Sequence, residues 1–171
     1  RYKTPEKLSS VKATEWHRIS LAVLAAGGDP TNMGTADDGS TIDLIADGTY
    51  NRGYAASLGK QGINGWIWGL IALDSMRYDV PDGAYYTRDD IIKEILCRQN
   101  PDGGFSLMGE VSDPDITAMA LQALAPYKNS ETVYVYTLKA SGENVEKTVW
   151  EVINEAIDCL SALQPGVKLQ G

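Results

Sequence analysis

The sequence is poor in the residues that most enzyme and metal sites require. Its 171 residues include one histidine, His17, and two cysteines, Cys97 and Cys159. A single histidine excludes most Ser/His/Asp, Cys/His and multi-histidine metal schemes, because each uses imidazole as a base or ligand. Neither cysteine has a CxxC motif or a neighbouring histidine, so we expect two unpaired thiols and no metal site. His17, beside Trp16 near a helix start, is expected to be a structural polar residue.

Basic clusters and long apolar runs are also missing. With 15 Lys and Arg against 23 Asp and Glu, the net charge is -8 at pH 7. Such a surface repels nucleic acids and anionic membranes, so we expect no nucleic-acid binding. No apolar run approaches the ~20 residues of a membrane span, which predicts no membrane insertion. The N-terminus RYKTPEKLSS lacks the apolar core of a signal peptide.

The length and composition predict a single domain. A chain of 171 residues with 43% apolar and 22% charged residues is long enough to bury a substantial core. We therefore assign residues 1–171 to one domain. Because the chain begins without Met and its first residues are linker-like, we expect that it is excised from a larger protein.

Three apolar segments recur along the chain at similar intervals. ISLAVLAA (19–26), WGLIALDS (68–75) and MALQALAP (119–126) align without gaps, 49 and 51 residues apart. Each places large apolar residues at its first, third and sixth positions, which predicts a buried helix. A second helix type lies between them, in DDIIKEILCRQ (89–99) and EAIDCLSALQ (155–164). This alternation predicts an all-α domain built from helical hairpin repeats of about fifty residues.

Two segments depart from the repeat. The sequence near 130–143 alternates Thr, Val and Tyr, which predicts a small β-hairpin insertion at an exposed edge. The second helix of the first repeat, near TIDLIADG (41–48), is short and interrupted by glycine. We therefore expect strands only in the insertion and an irregular first repeat.

The stretch QNPDGGF, from Gln99 to Phe105, fits the Gln-x-x-x-Gly-x-Phe/Trp signature of the squalene cyclase and protein prenyltransferase superfamily. TEWHRISLAVLAAGGDPTN, GINGWIWGLIALDS and SDPDITAMALQALAPY also resemble the toroid-like domains of secreted or wall-attached proteins of Gram-positive bacteria. The resemblance implies a partial α/α toroid and an extracellular or cell-wall location. Complete toroids have more hairpins than this chain, so an open repeat edge would allow self-association.

The QNPDGGF motif is expected to be structural. The Gln99 amide can satisfy free backbone groups at a helix end, and Gly103 and Gly104 allow positive φ angles. Phe105 would fill the seam between hairpins. The Asn-Pro-Asp-Gly-Gly run lacks the alternating oxygen ligands of a calcium loop, so we expect a tight turn and no metal.

Asp113 and Asp115 carry the one specific catalytic hypothesis. SDPDIT lines up with the Asp-x-Asp-Asp motif of class II cyclases in this superfamily, which implies Asp115 as general acid with Asp113 beside it. The final Asp of the motif is replaced by Ile116. An ordinary Asp must also expend ~4 kcal/mol to hold a proton at pH 7, and a helix N-terminus raises that cost. Capping explains the segment more simply, with Ser112 or Asp113 as N-cap and Pro114 at the first helical position.

Neither zinc nor another cofactor is expected. Prenyltransferases of this superfamily bind zinc through Asp, Cys and a later His, whereas no His follows Asp113 or Asp115 in this chain. Thr87–Asp90 is predicted to begin a helix with a capping box, which needs no chemistry.

Aromatic residues supply the remaining candidates for ligand contact. Trp66, Tyr85 and Tyr86 form a cluster that could face a groove, with Tyr50 and Tyr54 as neighbours, because Trp and Tyr stack on sugars and apolar ligands. Trp68 occupies a core position of the repeat, so packing is expected for it. Asp113 and Asp115 complete the set of candidate ligand-binding residues.

The function expected from these features is non-enzymatic. It is a ligand-binding or structural module of a bacterial secreted or cell-surface protein, whose partner is a small molecule or another domain of the same larger chain. The alternative is a terpenoid-type cyclase or lyase that uses Asp115 as general acid. Fold resemblance alone does not decide between them.

Overall fold

The computed structural model describes residues 12–53 and 57–163. These residues form six α-helices and two antiparallel strands, with the bounds α1 Ala13–Ala25, α2 Leu44–Gly48, α3 Ile63–Asp74, α4 Arg88–Leu96, α5 Pro114–Leu124, β1 Val133–Thr137, β2 Asn144–Thr148 and α6 Val149–Leu163. The backbone divides into two compact units, unit 1 (Arg1–Ile92) and unit 2 (Lys93–Gly171), and the division falls within α4.

In unit 1, α1 packs against α2 and α3. The buried side of α1 carries Ala13, Trp16, His17 and Ser20, which have the i, i+3, i+4, i+7 spacing of one helix face. This face mixes apolar and polar side chains. One of the polar side chains forms a hydrogen bond within the helix: the Ser20 hydroxyl donates to the Trp16 carbonyl at 2.9 Å.

A glycine brings α3 against the preceding 3-10 turn, Leu58–Gln61, within unit 1. A Cβ at Gly65 would lie 1.8 Å from the Leu58 carbonyl oxygen, so no other residue fits there without moving the backbone. Gly59 lies against the indole of Trp66 in the same way, with its Cβ position 3.2 Å from Nε1. These contacts let two backbone segments approach more closely than side chains would allow.

In unit 2, α5 packs on α6, and α6 follows directly from β2. The segment from Gln99 to Phe105, which precedes α5 in the chain, makes hydrogen bonds to both helices. The Gln99 Nε2 donates to the carbonyls of Gly103, at 2.8 Å, and Val152, at 3.4 Å. Phe105 is fully buried, and its backbone N–H donates to Thr117 Oγ1 of α5 at 2.9 Å.

The strands β1 and β2 form a hairpin whose two faces differ. Tyr134 and Tyr136 are buried and lie opposite Lys147 and Val145 of β2. Side chains alternate along a strand, so Val133, Val135 and Thr137 point to the opposite face, which is exposed. Beyond β1, the Lys139 N–H donates to the Cys97 carbonyl at 2.8 Å, which ties the hairpin to the end of α4.

The predicted all-α fold of helical hairpin repeats, a partial α/α toroid, is wrong. Within residues 12–53 and 57–163 the fold is mixed, with six helices of unequal length and a two-stranded sheet, and it is not a regular repeat. β1 lies inside the 130–143 segment predicted as a hairpin, but β2 lies beyond it, at Asn144–Thr148. The short first-repeat helix near 41–48 is present as the five-residue α2.

The repeat fails because aligned positions are not equivalent in burial. The first position of the three apolar segments holds Ile19, which is 37% exposed, and Trp68 and Met119, which are half-buried. The second helix type behaves similarly, since Ile92 is fully buried whereas its counterpart Ile157 is 45% exposed. An apolar stripe is a requirement of any packed helix, so its recurrence does not specify which helices pair.

None of the helices in the described ranges combines the length and hydropathy of a membrane span.

We expect Gly65→Ala to lower the free energy of unfolding by about 3 kcal/mol, because the added methyl collides with a backbone carbonyl and the backbone must shift to relieve the collision. Chemical denaturation followed by circular dichroism measures this change. The matched control is Gly53→Ala, because a Cβ there meets no atom within 4 Å, and its effect should stay within about 0.5 kcal/mol. Equal stability of the two variants would contradict the close approach of Gly65 to Leu58.

Candidate functional site

The two aspartates of the catalytic hypothesis begin α5. Asp113 is the N-cap, and its Oδ1 accepts hydrogen bonds from the backbone N–H groups of Asp115 and Ile116, both at 2.9 Å. Pro114 occupies the first helical position, where its missing N–H costs nothing. Asp115 lies in the first turn, where the positive end of the helix dipole favours a carboxylate. The capping interpretation of this segment is therefore confirmed.

The surroundings of Asp115 do not suit a general acid. A carboxyl group that keeps its proton at neutral pH needs burial in a low-dielectric site, whereas both Asp113 and Asp115 are exposed. Neither Trp66, Tyr85 nor Tyr86 belongs to the same unit as this helix start. The predicted acid, Asp115, lies in unit 2 and the predicted aromatic cluster lies in unit 1, so neither unit contains both.

The start of α4 follows the same capping logic. The Thr87 N–H donates to Asp90 Oδ2 at 2.8 Å, and the Asp90 N–H donates to Thr87 Oγ1 at 3.1 Å. This reciprocal pair is the capping box predicted from the sequence. It gives these residues a structural role.

The aromatic cluster predicted in unit 1 exists, but its centre is packed. Tyr86 makes edge-to-face contacts with both Trp66, at a centroid distance of 5.2 Å, and Tyr85, at 5.0 Å. Trp66 is only 5% exposed, and Gly59 lies against its ring. Tyr85 is 48% exposed and offers the cluster's open surface. Tyr54, named as a neighbour, lies outside the described residues.

A concavity in unit 2 was not predicted. It is a cleft of about 460 Å³ between the 99–103 turn, the hairpin and α6. We call it the hairpin cleft, and its lining residues are Gln99, Asn100, Pro101, Asp102, Gly103, Leu138, Ser141, Glu143, Val145, Lys147, Glu155 and Asp158. The QNPDGGF motif therefore forms one wall of a cleft in addition to its structural role.

Gly103 sets the distance between the turn and α6. Its φ of 87° lies in the left-handed region, and a Cβ there would be 2.6 Å from the Glu155 carbonyl oxygen. Neither condition suits a residue with a side chain. Beside it, a Cβ at Gly104 would lie 2.5 Å from Ser112 Oγ and 2.7 Å from Cys159 Sγ. The turn consequently rests directly on the helix that forms the opposite wall.

Carboxylates are the majority of the charged groups that line the hairpin cleft. Asp102, Glu143, Glu155 and Asp158 carry four negative charges against the single positive charge of Lys147. Lys147 Nζ donates to both carboxylate oxygens of Glu155 at 2.7 Å, so this lysine is already neutralised. The remaining acidic side chains leave the cleft with a negative potential.

One of these carboxylates is held in a fixed orientation. Asp102 Oδ1 accepts a hydrogen bond from Ser112 Oγ at 2.5 Å and another from the Gly104 N–H at 3.1 Å. Ser112 is buried, and its Oγ also accepts from Asn100 Nδ2 at 3.1 Å. A pre-oriented acceptor at the wall of a cleft loses less entropy when a ligand binds.

The hairpin cleft lacks the elements of the common catalytic and metal sites. Among the described residues, no three His, Cys, Asp or Glu side chains converge as metal ligands would. Both cysteines are free and buried. Burial raises the pKa of both thiols, and Asp102 raises that of Cys159 further, so neither is a thiolate at neutral pH. The arrangement is suited to binding a ligand by charge and shape.

No family model, curated relative or solved structure matches this chain.

We expect Asp113→Ala to lower the free energy of unfolding by about 1 kcal/mol, because two backbone N–H groups lose their acceptor. Asp115→Asn should change it by less than about 0.5 kcal/mol, since this exposed side chain contributes only its charge to the helix dipole. Urea denaturation of the two variants and the parent chain gives both values. A larger effect of Asp115→Asn would contradict the assigned capping roles.

Proposed function

We propose that this chain is a non-catalytic binding module and that the hairpin cleft is its ligand site. The observation that carries the proposal is a concavity of about 460 Å³ whose walls are the 99–103 turn, the hairpin and α6. Ligand sites of proteins occupy clefts of ~300–1,000 Å³. The cleft is formed entirely by residues 99–158, all of which belong to unit 2.

The charge of the lining favours a cationic ligand. Four carboxylates and one paired lysine give the ionisable groups a net charge of three negative. A ligand with ammonium or guanidinium groups would find acceptors at Asp102, Glu143 and Asp158. Since these groups do not converge on one point, they suit charges spaced along a ligand better than a single metal ion.

The Lys147–Glu155 pair indicates the geometry of one subsite. Both oxygens of Glu155 accept from one ammonium group at 2.7 Å, which is the arrangement that a ligand's own ammonium would adopt beside a carboxylate. Lys147 is only partly exposed, so it also limits the depth to which a ligand can enter. Basic peptide segments and polyamines are the ligand class that this chemistry recognises.

Catalysis by Asp115 has less support. Its side chain is exposed at the start of α5 and is not among the residues that line the hairpin cleft. No histidine is among the residues that line the cleft, so its aspartates have no imidazole beside them with which to activate a water.

The probe for this proposal is the peptide Lys-Lys-Lys, titrated into ¹⁵N-labelled protein and followed by amide chemical shifts. We expect saturable shifts confined to the 99–103 turn, β2 and the 155–158 part of α6. Raising NaCl from about 0.05 to 0.5 M should weaken binding, because the Debye length falls from about 14 to about 4 Å. The peptide Glu-Glu-Glu should produce no shifts.

The double variant Glu143→Gln/Asp158→Asn should weaken tri-lysine binding about fivefold, since each exposed ion pair contributes about 0.5 kcal/mol. The matched control is Glu146→Gln. Glu146 lies on β2 between Val145 and Lys147 and therefore points to the opposite face of the hairpin. Absence of shifts at millimolar peptide would refute the binding proposal and leave a structural role. Equal weakening by Glu146→Gln would assign the binding to overall charge.

A further inference from the structure

A buried histidine joins three elements of unit 1, and the proposed function makes no use of it. His17 lies on α1 and is 1% exposed. Its Nε2 is 2.7 Å from the Gly48 carbonyl at the end of α2. A Cβ at Gly69 of α3 would lie 3.6 Å from its Cε1, and one at Gly48 would lie 3.6 Å from its Cδ2. The imidazole ring is thus enclosed between the helices.

The hydrogen bond to Gly48 determines which nitrogen carries the proton. A carbonyl oxygen only accepts, so the neutral ring must carry its hydrogen on Nε2. Nδ1 then has a lone pair, and this buried atom has no hydrogen-bonding partner among the described residues. Protonation would create a buried N–H donor with nothing to accept it, together with a buried charge, and both are costly in a folded protein.

Among residues 12–53 and 57–163, no negative charge stabilises the protonated ring. The charged residues on the packed elements are Glu15 and Arg18 on α1, Asp47 on α2, Arg52 after it, Lys60 in the 3-10 turn and Asp74 at the end of α3. Of these, the nearby positive charge of Arg52 acts on the imidazole and opposes its protonation. Asp47 and Glu15 act electrostatically on Arg52.

We propose that His17 is an acid-sensitive latch: its protonation opens the packing of α1 on α2 and α3 in unit 1. The neutral ring fits its site, whereas the imidazolium is stable only when the ring reaches water. Mild acid therefore favours the opened form. His17 is the only histidine of the chain, so the whole imidazole response belongs to this residue.

The size and direction of the effect follow from linkage. Burial lowers the pKa of His17 from 6.5 to about 4, with a smaller lowering from Arg52, against the opposing hydrogen bond to Gly48. Because the folded pKa lies below the unfolded one, the stabilisation is full above pH 6.5 and is lost as pH falls towards 4. Between pH 7.5 and pH 5 the equilibrium constant for opening should rise about 30-fold.

Amide hydrogen exchange at pH 7.5 and pH 5, corrected for intrinsic exchange rates, tests the latch. The opening constants of the most protected amides in α1 and α3 should rise about 30-fold, while those of α5 and α6, where no histidine occurs, should change less than about threefold. The matched variant His17→Gln keeps an N–H donor for Gly48 but does not titrate. Its α1 and α3 amides should show no comparable rise, and a rise equal to that of the parent chain would overturn the proposal.

A second measurement does not depend on the variant folding. In the parent chain, the ¹⁵N shifts of the single imidazole report its tautomer and titration directly. We expect a neutral Nε2–H ring at pH 7 and no titration of the closed form above pH 5. A normal titration near pH 6.5 without loss of folded signals would refute the latch.

Discussion

The contact between the Gly103 backbone and the Glu155 carbonyl is the constraint on which unit 2 depends. It is available only to glycine, because φ is 87° and a Cβ would lie 2.6 Å from that oxygen. With the turn seated on α6, Gln99 can reach the Val152 carbonyl, and Phe105 is buried next to α5. The same turn carries Asp102, which lines the hairpin cleft. One backbone approach thus produces both the core and the cleft.

Glycines also allow close packing in unit 1, where they enclose a polar ring. Gly65 lets α3 approach the Leu58 carbonyl, and Gly48 and Gly69 leave space in which the His17 ring fits. Close backbone packing leaves little room for water, so a polar ring in this region must find its partners in the protein itself. Within the part of the chain that the structure describes, His17 has one hydrogen-bonding partner and its Nδ1 has none. The acid sensitivity proposed for unit 1 follows from the burial of this ring together with its unmet hydrogen bond.

Local chemistry was predictable from the sequence, whereas long-range pairing was not. The caps at Asp113 and Thr87 and the turn at Gly103 depend on residues within a few positions of one another, and the structure confirms them. The toroid required distant segments to be equivalent, and the exposure of Ile19 and Ile157 shows that they are not. Periodicity identifies an apolar stripe but carries no information about its partner. The hairpin cleft escaped prediction for the same reason, since its walls come from three separated segments.

The carboxylates that anchor the hairpin of unit 2 respond to acid in a lower pH range than the imidazole of unit 1. In unit 2, burial opposes ionisation of Glu94, but Lys139 and Arg98 outweigh it and lower its pKa. Hydrogen bonds from Thr148 lower the pKa of Glu151. Stabilisation by these carboxylates is lost only in acid below their ordinary pKa values. Between pH 6.5 and about 5, therefore, the imidazole of unit 1 responds while the ion pairs that hold the hairpin remain charged.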